Sequence, residues 1–506
     1  MDPRVQVKFE FVRYTRGYGV DVGRGSSKAF PHMAAVRLHN DEQCEKEKIR
    51  EIVTMSLVKL PEFDDDKCDF ILAADVLTAD NAETAIASYL RCVRVDGHVC
   101  IYHPDDKVSL TRLETAIAAQ QTKVDVVALS EWHAGGVYLV LRKRNDDNPE
   151  QVTFSYKEPL PEKRALVIRH GGIGDQLQAA FLFPELKRQG YHITVMATPK
   201  TVAPIQHDPH VDDWYTLDED QVPNGELPLF WKVVGAHYQK TINLNESVEG
   251  TFLAVPSRVQ HSWPHALRHE LLNRNYAEHA AKIAEIPFKA EGRFYASPEE
   301  AAFAAGFVSE LASSMNKGLM IGERSMPTFN IMWVLSGSSP HKFSPHQDTV
   351  MSAILKRLSR ATITLVGGME CKILEAGWEN EPRVFCRSGE LSVRDTLALA
   401  QVMDLVIGPE TGVLNSVAYN EDVRKVLMLS HSSHENLSKH WLNTAVVAGR
   451  APCYPCHQLH VTSEFCPQDK NSGAALCQQN VSPEELYMPI DAEYTGWAKV
   501  QMLRAA

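Results

Sequence analysis

Val167-Ile168-Arg169-His170-Gly171-Gly172-Ile173-Gly174-Asp175-Gln176-Leu177 is the stretch from which the rest of the chain is read. Residues 165–168 form a short apolar run of the kind that makes a buried parallel strand. A glycine-rich turn follows, and then residues 176–188, which read as a helix. Strand, glycine turn and helix N-terminus form a binding corner in α/β proteins. Ligands collect beyond the carboxyl ends of strands, and helix N-termini attract anions. Asp175 sits in that corner. A carboxylate repels a phosphate, but it suits taking a proton from a hydroxyl. It also suits capping the helix. On this stretch alone both readings stand.

The totals narrow the class. A chain of 506 residues is too long for one core, so two to four domains are expected. Hydrophobic residues at 44% and charged residues at 23% are ordinary for a globular protein in water. A net charge of −12 argues against a surface coated for nucleic acid, while leaving room for a local basic groove. No run of about 18 apolar residues occurs, so no membrane span is expected. The first residues lack the apolar stretch of a signal peptide. The expectation is therefore a cytoplasmic protein whose ten cysteines are mostly reduced.

Residues 1–145 read as a small α/β domain. Arg16-Gly17-Tyr18-Gly19-Val20-Asp21-Val22-Gly23-Arg24-Gly25 is a strand entering a glycine turn. Strands are expected at 34–38, 68–77 and 99–102, a turn at 95–98, and helices at 81–92 and 110–121. Segments 124–129 and 136–142 look like an antiparallel pair. This order resembles the class I S-adenosylmethionine-dependent methyltransferase fold, carried by Gly19 to Gly25 and by the stretch from Asp69 to Asp105. In that family an acid ends the second strand and holds the ribose. Here His39, Asn40 and Asp41 follow the strand, so the acid is displaced or missing. The expectation is a degenerate scaffold or partner-binding module rather than an S-adenosylmethionine site.

Residues 146–163 are polar and proline-bearing, and read as a linker. The next domain is expected over 164–320. Strands are expected at 192–197, 210–215, 231–234 and 240–244, with a short helix at 200–207. Asn243, Asn245, Glu246 and Glu249 form a polar cluster after the last strand. Residues 265–285 read as one helix with an apolar face. His261, His265, His269 and His279 lack an acid-backed pair at zinc spacing, so they read as surface or core-edge histidines.

A further domain is expected over 321–490, with strands at 329–335, 361–366, 384–386, 404–407 and 426–429 and helices at 348–360, 392–401 and 416–419. Three loops follow strand ends. One is Ser336-Gly337-Ser338-Ser339-Pro340-His341-Lys342, another is Gly367-Gly368-Met369-Glu370, and the third is Glu410-Thr411-Gly412-Val413-Leu414-Asn415. In an open parallel sheet such loops share one edge. Hydroxyls, amides and a lysine there suit a diphosphate, and a carboxylate suits ribose or sugar hydroxyls. That set points to a nucleotide sugar.

Residues 164–490 resemble glycosyltransferase family 9, the ADP-heptose:lipopolysaccharide heptosyltransferase family, which has the GT-B fold. The carrying motifs are Gly172-Ile173-Gly174-Asp175, Ser338-Ser339 with Lys342, Gly368-Met369-Glu370, and Glu410-Thr411-Gly412. The fold expectation is therefore α/β, a GT-B arrangement of two Rossmann-like domains preceded by the methyltransferase-like one. The resemblance implies that Asp175 is the general base acting on the acceptor hydroxyl. It implies that Ser338, Ser339 and Lys342 bind the donor diphosphate, that Glu370 lies near the nucleoside, and that Thr411 and Gly412 hold the pyrophosphate. It also implies no essential metal, and direct displacement by the acceptor would invert the anomeric configuration. Two positions depart from the family. Glu410 stands where an aspartate is usual, and Asn415 where a histidine is usual, so the transferred sugar need not be a heptose. Both remain in the expected donor-binding set.

Cys453-Tyr454-Pro455-Cys456, Cys466 and Cys477 form a cluster near the end of the chain. The first pair has zinc-type spacing and the second does not, with His457 and His460 as alternative ligands. A structural zinc, one or two disulfides, and free thiols all remain open. Residues 491–506 are expected to form a terminal helix that packs back across the domain boundary. The leading expectation is an inverting hexosyl-, heptosyl- or pentosyl-type transferase using a nucleotide-sugar donor and a glycan acceptor. A hydroxymethylated base in DNA is the alternative acceptor. A methyltransferase and a non-catalytic sugar-binding scaffold are the rivals of other classes.

Overall fold

The computed structural model describes residues 8–23, 29–30, 32–38, 51–54, 56–103, 108–120, 124–131, 136–145, 161–245, 247, 253–256, 258–316, 327–339, 342–462 and 466–505. The expectations placed on Arg24, Gly25, His39, Asn40, Asp41, Asp105, Glu246, Glu249, Pro340, His341 and residues 146–160 lie outside the described residues. The chain forms two compact units. One is Met1–Leu166 with Tyr215–Thr241, and the other is Val167–Trp214 with Ile242–Ala506. The sequence places residues 215–241 in the 164–320 domain, yet they cluster with the first unit.

The first unit holds a seven-stranded sheet. Its strands are β1 (Gly19–Val22), β2 (Ala34–Leu38), β3 (Glu51–Thr54), β4 (Cys68–Ala74), β5 (Val93–His103), β6 (Val124–Glu131) and β7 (Val137–Lys143), in the order β3-β2-β1-β4-β5-β7-β6. Strands β1 to β5 are parallel, and β7 runs antiparallel to both β5 and β6. The turn expected at 95–98 is instead a bulge inside β5. Pairing jumps from Val93 opposite Cys68 to His98 opposite Phe70. Asp96 adopts φ 64° there, and a Cβ on Gly97 would lie 2.5 Å from the Asp69 carbonyl. Two carboxylates of strands β1 and β4 are already engaged. Asp21 accepts the Ala29 N–H at 2.7 Å, and Asp69 accepts the Tyr18 N–H at 2.6 Å.

The same unit is clasped from within. Phe9 packs on Phe230 with ring centroids 5.8 Å apart. The Gln221 amide donates to the Val12 carbonyl at 2.7 Å, and Arg16 pairs with Asp218 at 3.0 Å. Residues 231–234, expected as a strand, belong to the helix Leu227–Gly235. Pro228 suits a first helical turn, and Phe230 and Val234, one turn apart, are its buried residues.

A four-stranded sheet follows, built from β8 (Arg164–Ile168), β9 (His192–Ala197), β10 (Asp213–Thr216) and β11 (Lys240–Asn243) in the order β10-β9-β8-β11. The helix expected at 176–188 starts earlier and is two helices, Ile173–Ala179 and Leu182–Arg188. Pro184 has no N–H to continue the ladder from Ala180, so a new helix begins around it. The helix expected at 265–285 is also two, His265–Leu272 and Tyr276–Ile283. Asn273 leaves helical geometry, and Asn275 caps the second helix by accepting the Glu278 N–H at 3.1 Å.

The last sheet has six strands, all parallel: β12 (Phe329–Val334), β13 (Ala361–Val366), β14 (Val384–Cys386), β15 (Leu405–Pro409), β16 (Arg424–Met428) and β17 (Thr444–Val447). Their order is β14-β13-β12-β15-β16-β17, the doubly wound Rossmann order. Every residue of β12, β13 and β15 is buried, as strands covered on both faces require. The helix expected at 416–419 lies earlier, at Gly412–Ser416. The terminal helix is one element of 23 residues, Pro483–Ala505. It does not follow the expectation of packing back across the domain boundary. Leu486, Tyr487, Ile490 and Trp497 join Phe329, Ile331 and Trp333 in the core of the six-stranded sheet. A different core joins the two Rossmann-like halves, with Leu177, Ala180 and Phe181 alongside Leu414, Val417 and Ala418.

Candidate functional site

Strand order reverses between β12 and β15 in the six-stranded sheet, and between β8 and β11 in the four-stranded one. Loops leaving such points splay apart and open a crevice at the carboxyl ends of the strands. A cleft of about 530 Å³ lies there. It is lined from one half by Gly172 to Asp175, Gln178 and Lys200. The other half contributes Ser336 to Ser338, Lys342, Gly367, Gly368, Glu370 and Glu410 to Val413 with Asn415. Most of the loops singled out from the sequence therefore share one cavity.

Two glycines let the halves meet. A Cβ on Gly412 would lie 2.9 Å from Cγ2 of Ile173, and one on Gly174 would lie 3.0 Å from Nδ2 of Asn415. The Gly412 contact is closer than packed side chains come, and the one at Gly174 would require the Asn415 amide to shift, so glycine at these two places suits the close approach of the helices Ile173–Ala179 and Gly412–Ser416.

Asp175 is not the N-cap. Gly172 is, and Asp175 occupies the third helical position, where one carboxylate oxygen accepts the Gly172 N–H at 2.8 Å. The other oxygen lies 3.2 Å from the buried guanidinium of Arg169, which also donates to the Leu244 carbonyl at 3.1 Å. A carboxylate has about four lone-pair sites, so capacity remains on the cleft side, where the side chain is 28% exposed.

The opposite wall is more buried. Lys342 is buried and donates from Nζ to the Glu410 carbonyl at 2.7 Å. Burial pushes its pKa down, while the carboxylates of Glu410 and Asp175 push it up. Glu410 corrects an expectation. Its carboxylate does not face the cleft as a free sugar acceptor. It accepts the Ser430 N–H and O–H at 2.8 Å each and the His431 and Ser432 N–H groups at 3.2 Å each. Ser339 is corrected too. Its hydroxyl donates to the His460 carbonyl at 2.6 Å and does not line the cleft, whereas Ser338 does. Thr411 lines the cleft with a buried Oγ1 that has no hydrogen-bond partner among the described residues. Ser432 is in the same condition, fully buried with Oγ unpartnered among the described residues. His431, beside it, is held far below its usual pKa by burial first and then by Lys342, and stays neutral.

No family model and no curated protein matches the chain. Solved structures it is similar to include glycosyltransferase family 9 proteins, heptosyltransferases among them, over about two-thirds of its length. A family 9 glycosyl transferase of Veillonella parvula is 14% identical, covering 67% of this chain and 99% of that one with a TM-score of 0.46. The ADP-heptose lipopolysaccharide heptosyltransferase II of E. coli is 14% identical over 66% and 99%, with a TM-score of 0.42. The iron-containing dodecameric glycosyltransferase TibC of enterotoxigenic E. coli is 13% identical over 67% and 79%, with a TM-score of 0.40.

Sequence reasoning missed Gln178, Lys200 and Ser432. Ser432 carried a usable signal, because Ser430-His431-Ser432-Ser433 follows β16 as Ser336-Gly337-Ser338 follows β12. Gln178 and Lys200 carried none, since each is a common helix-surface residue. His269 Nδ1 lies 2.9 Å from His457 Nε2. Cys453, Cys456, Cys466 and Cys477 are brought together as free thiols around a separate cavity of about 140 Å³. Among the described residues no group of three or more histidine, cysteine or acidic side chains is disposed to hold a metal ion. None of the described helices is long and apolar enough to cross a membrane.

Proposed function

We propose that the chain is a glycosyltransferase that moves a sugar from a nucleotide-diphosphate donor to a hydroxyl of a glycan-type acceptor, with inversion. The observation that carries this reading is the pairing of walls in one cleft. An accessible carboxylate, oriented from behind by Arg169, stands across from a buried lysine and two buried hydroxyls that have no partner among the described residues. A base and an oxyanion-holding wall are the two things sugar displacement from a diphosphate needs.

The steps follow from that chemistry. Asp175 takes the proton of the acceptor hydroxyl as its oxygen attacks the anomeric carbon. The bond from that carbon to the phosphate oxygen breaks, and the nucleoside diphosphate leaves with the electron pair. Lys342, Thr411 and Ser432 donate to the departing oxyanion, which buried donors stabilise more than solvated ones. Attack from the face opposite the leaving group inverts the anomeric carbon.

A panel of nucleotide sugars tested for thermal stabilisation identifies the donor, since a ligand at a hundred times its Kd adds roughly 2.7 kcal/mol. With that donor, Asp175→Asn is expected to lose transfer by about a hundredfold to ten-thousandfold while keeping donor-induced stabilisation. Full turnover by the variant would remove Asp175 from the role of base.

A further inference from the structure

Gln178 lies one helical turn beyond Asp175, three residues on, and both line the cleft. The state of its amide is fixed by a short relay. Asn415 donates from Nδ2 to the Thr411 carbonyl at 3.0 Å. A carbonyl can only accept, so Oδ1 of Asn415 must point the other way. That Oδ1 accepts from Nε2 of Gln178 at 2.9 Å. The Gln178 amide is therefore fixed with its nitrogen toward Asn415. Its Oε1 is buried and has no partner among the described residues.

An amide oxygen accepts and cannot donate. It is a poor neighbour for a phosphate and a good one for a hydroxyl. Leaving it buried and unmet is costly, so it is a place where a ligand O–H is worth more than water would be. The base on the same helix face must reach a hydroxyl attacking the anomeric carbon. The groups closest to that carbon on the donor side are the hydroxyls of the transferred sugar. Asn415 braces Gln178 from the donor half, one helical turn after Thr411, which strengthens that assignment.

Resting on the glycosyl-transfer reading above, we infer that Gln178 is a specificity-determining residue whose Oε1 accepts a hydrogen bond from one hydroxyl of the transferred sugar. Asn415 is its positioning residue. Asparagine at 415 then has a purpose of its own: it orients an amide that does the reading.

The test compares kcat/KM for the donor and its single-deoxy analogues in the wild type, Gln178→Leu, Gln178→Glu and Asn415→Ala. The wild type is expected to lose about tenfold to a hundredfold on one analogue, the cost of leaving the buried acceptor unmet. Gln178→Leu is expected to treat that analogue and the parent donor within about threefold. Gln178→Glu, which keeps an acceptor but loses the Nε2 donor that holds it to Asn415, is expected to weaken the discrimination, as is Asn415→Ala. A merely structural role would lower all donors alike and leave the ratios unchanged, and that result overturns the inference. So does discrimination that resides in the acceptor series instead. Failure of the wild type to turn over any nucleotide sugar overturns the underlying reading, a separate outcome visible before any variant is made.

Discussion

At the scale of single residues, Glu410 decides what one carboxylate can do. Four donors from Ser430, His431 and Ser432 converge on it, and the loop they belong to carries Ser432 into the cleft. Glu410→Ala leaves three backbone N–H groups without their acceptor in a buried place. The expected loss is on the order of 3 kcal/mol or more in urea unfolding, with Glu410→Gln losing about 1 kcal/mol. Equal stability of the two variants would refute a loop-holding role. The sequence could name Glu410 but not where its carboxylate turns, because that depends on a loop twenty residues on. Lys425 makes a different prediction. It is fully buried, donating to the Val417 and Asn420 carbonyls at 2.9 and 2.7 Å. Burial pushes its pKa down from 10.5 to about 7. Between those values the unfolded chain holds a proton that the folded chain has shed. Stability then rises with pH across that window, by at most about 1.4 kcal/mol per unit. Below about 7 the cost of the buried charge is fully present. Lys425→Met should lack the slope, and chemical denaturation at pH 7, 8 and 9 measures it.

Elements explain why some of the fold could be read and some could not. The strands of the six-stranded sheet are short apolar runs closed by glycine or hydroxyl residues, and sequence periodicity places most of them. Strand β17 was missed because Thr444–Val447 is half-buried at the sheet's outer edge and followed by no motif. The errors in the helices share a cause. The breaks at Pro184 and at Asn273 to Asn275 are local backbone events inside patterns whose apolar spacing continues across them. The site was legible where a motif sits on a strand end, as at Gly172, Lys342 and Thr411. It was hidden where a residue acts through a partner from the other half, as Gln178 does through Asn415. The tight approach of the helices Ile173–Ala179 and Gly412–Ser416 gives the prediction at this scale. Gly412→Ala puts a methyl 2.9 Å from Cγ2 of Ile173. Overpacking of that kind costs roughly 1–3 kcal/mol, and the helix approach it disturbs carries Thr411 and Asn415. Calorimetric unfolding should show the loss, while Gly306→Ala, with open space around its Cα, should show none.

For the whole molecule, the division into units does not follow the order of the chain. Residues 8–17 and residues 215–241 lie far apart in sequence and close one core around Phe9, Phe11, Phe30, Tyr215 and Phe230. Nothing in the composition or periodicity of residues 1–145 reveals that their core is finished by a segment read as part of another domain. Loop-closing contacts of this span are invisible to local pattern and carry the entropy of joining distant segments. Synthesis gives that feature a further meaning. Emerging from the ribosome, the first unit lacks its own closing piece until residue 241 has cleared the tunnel, by which time Val167–Trp214 is already outside. The two units must then ripen in overlap rather than one after the other. Arrested nascent chains exposing 200 residues should remain open to protease across the first unit, and those exposing 260 should resist it. Protection at 200 would mean that the clasp only decorates a unit that folds without it.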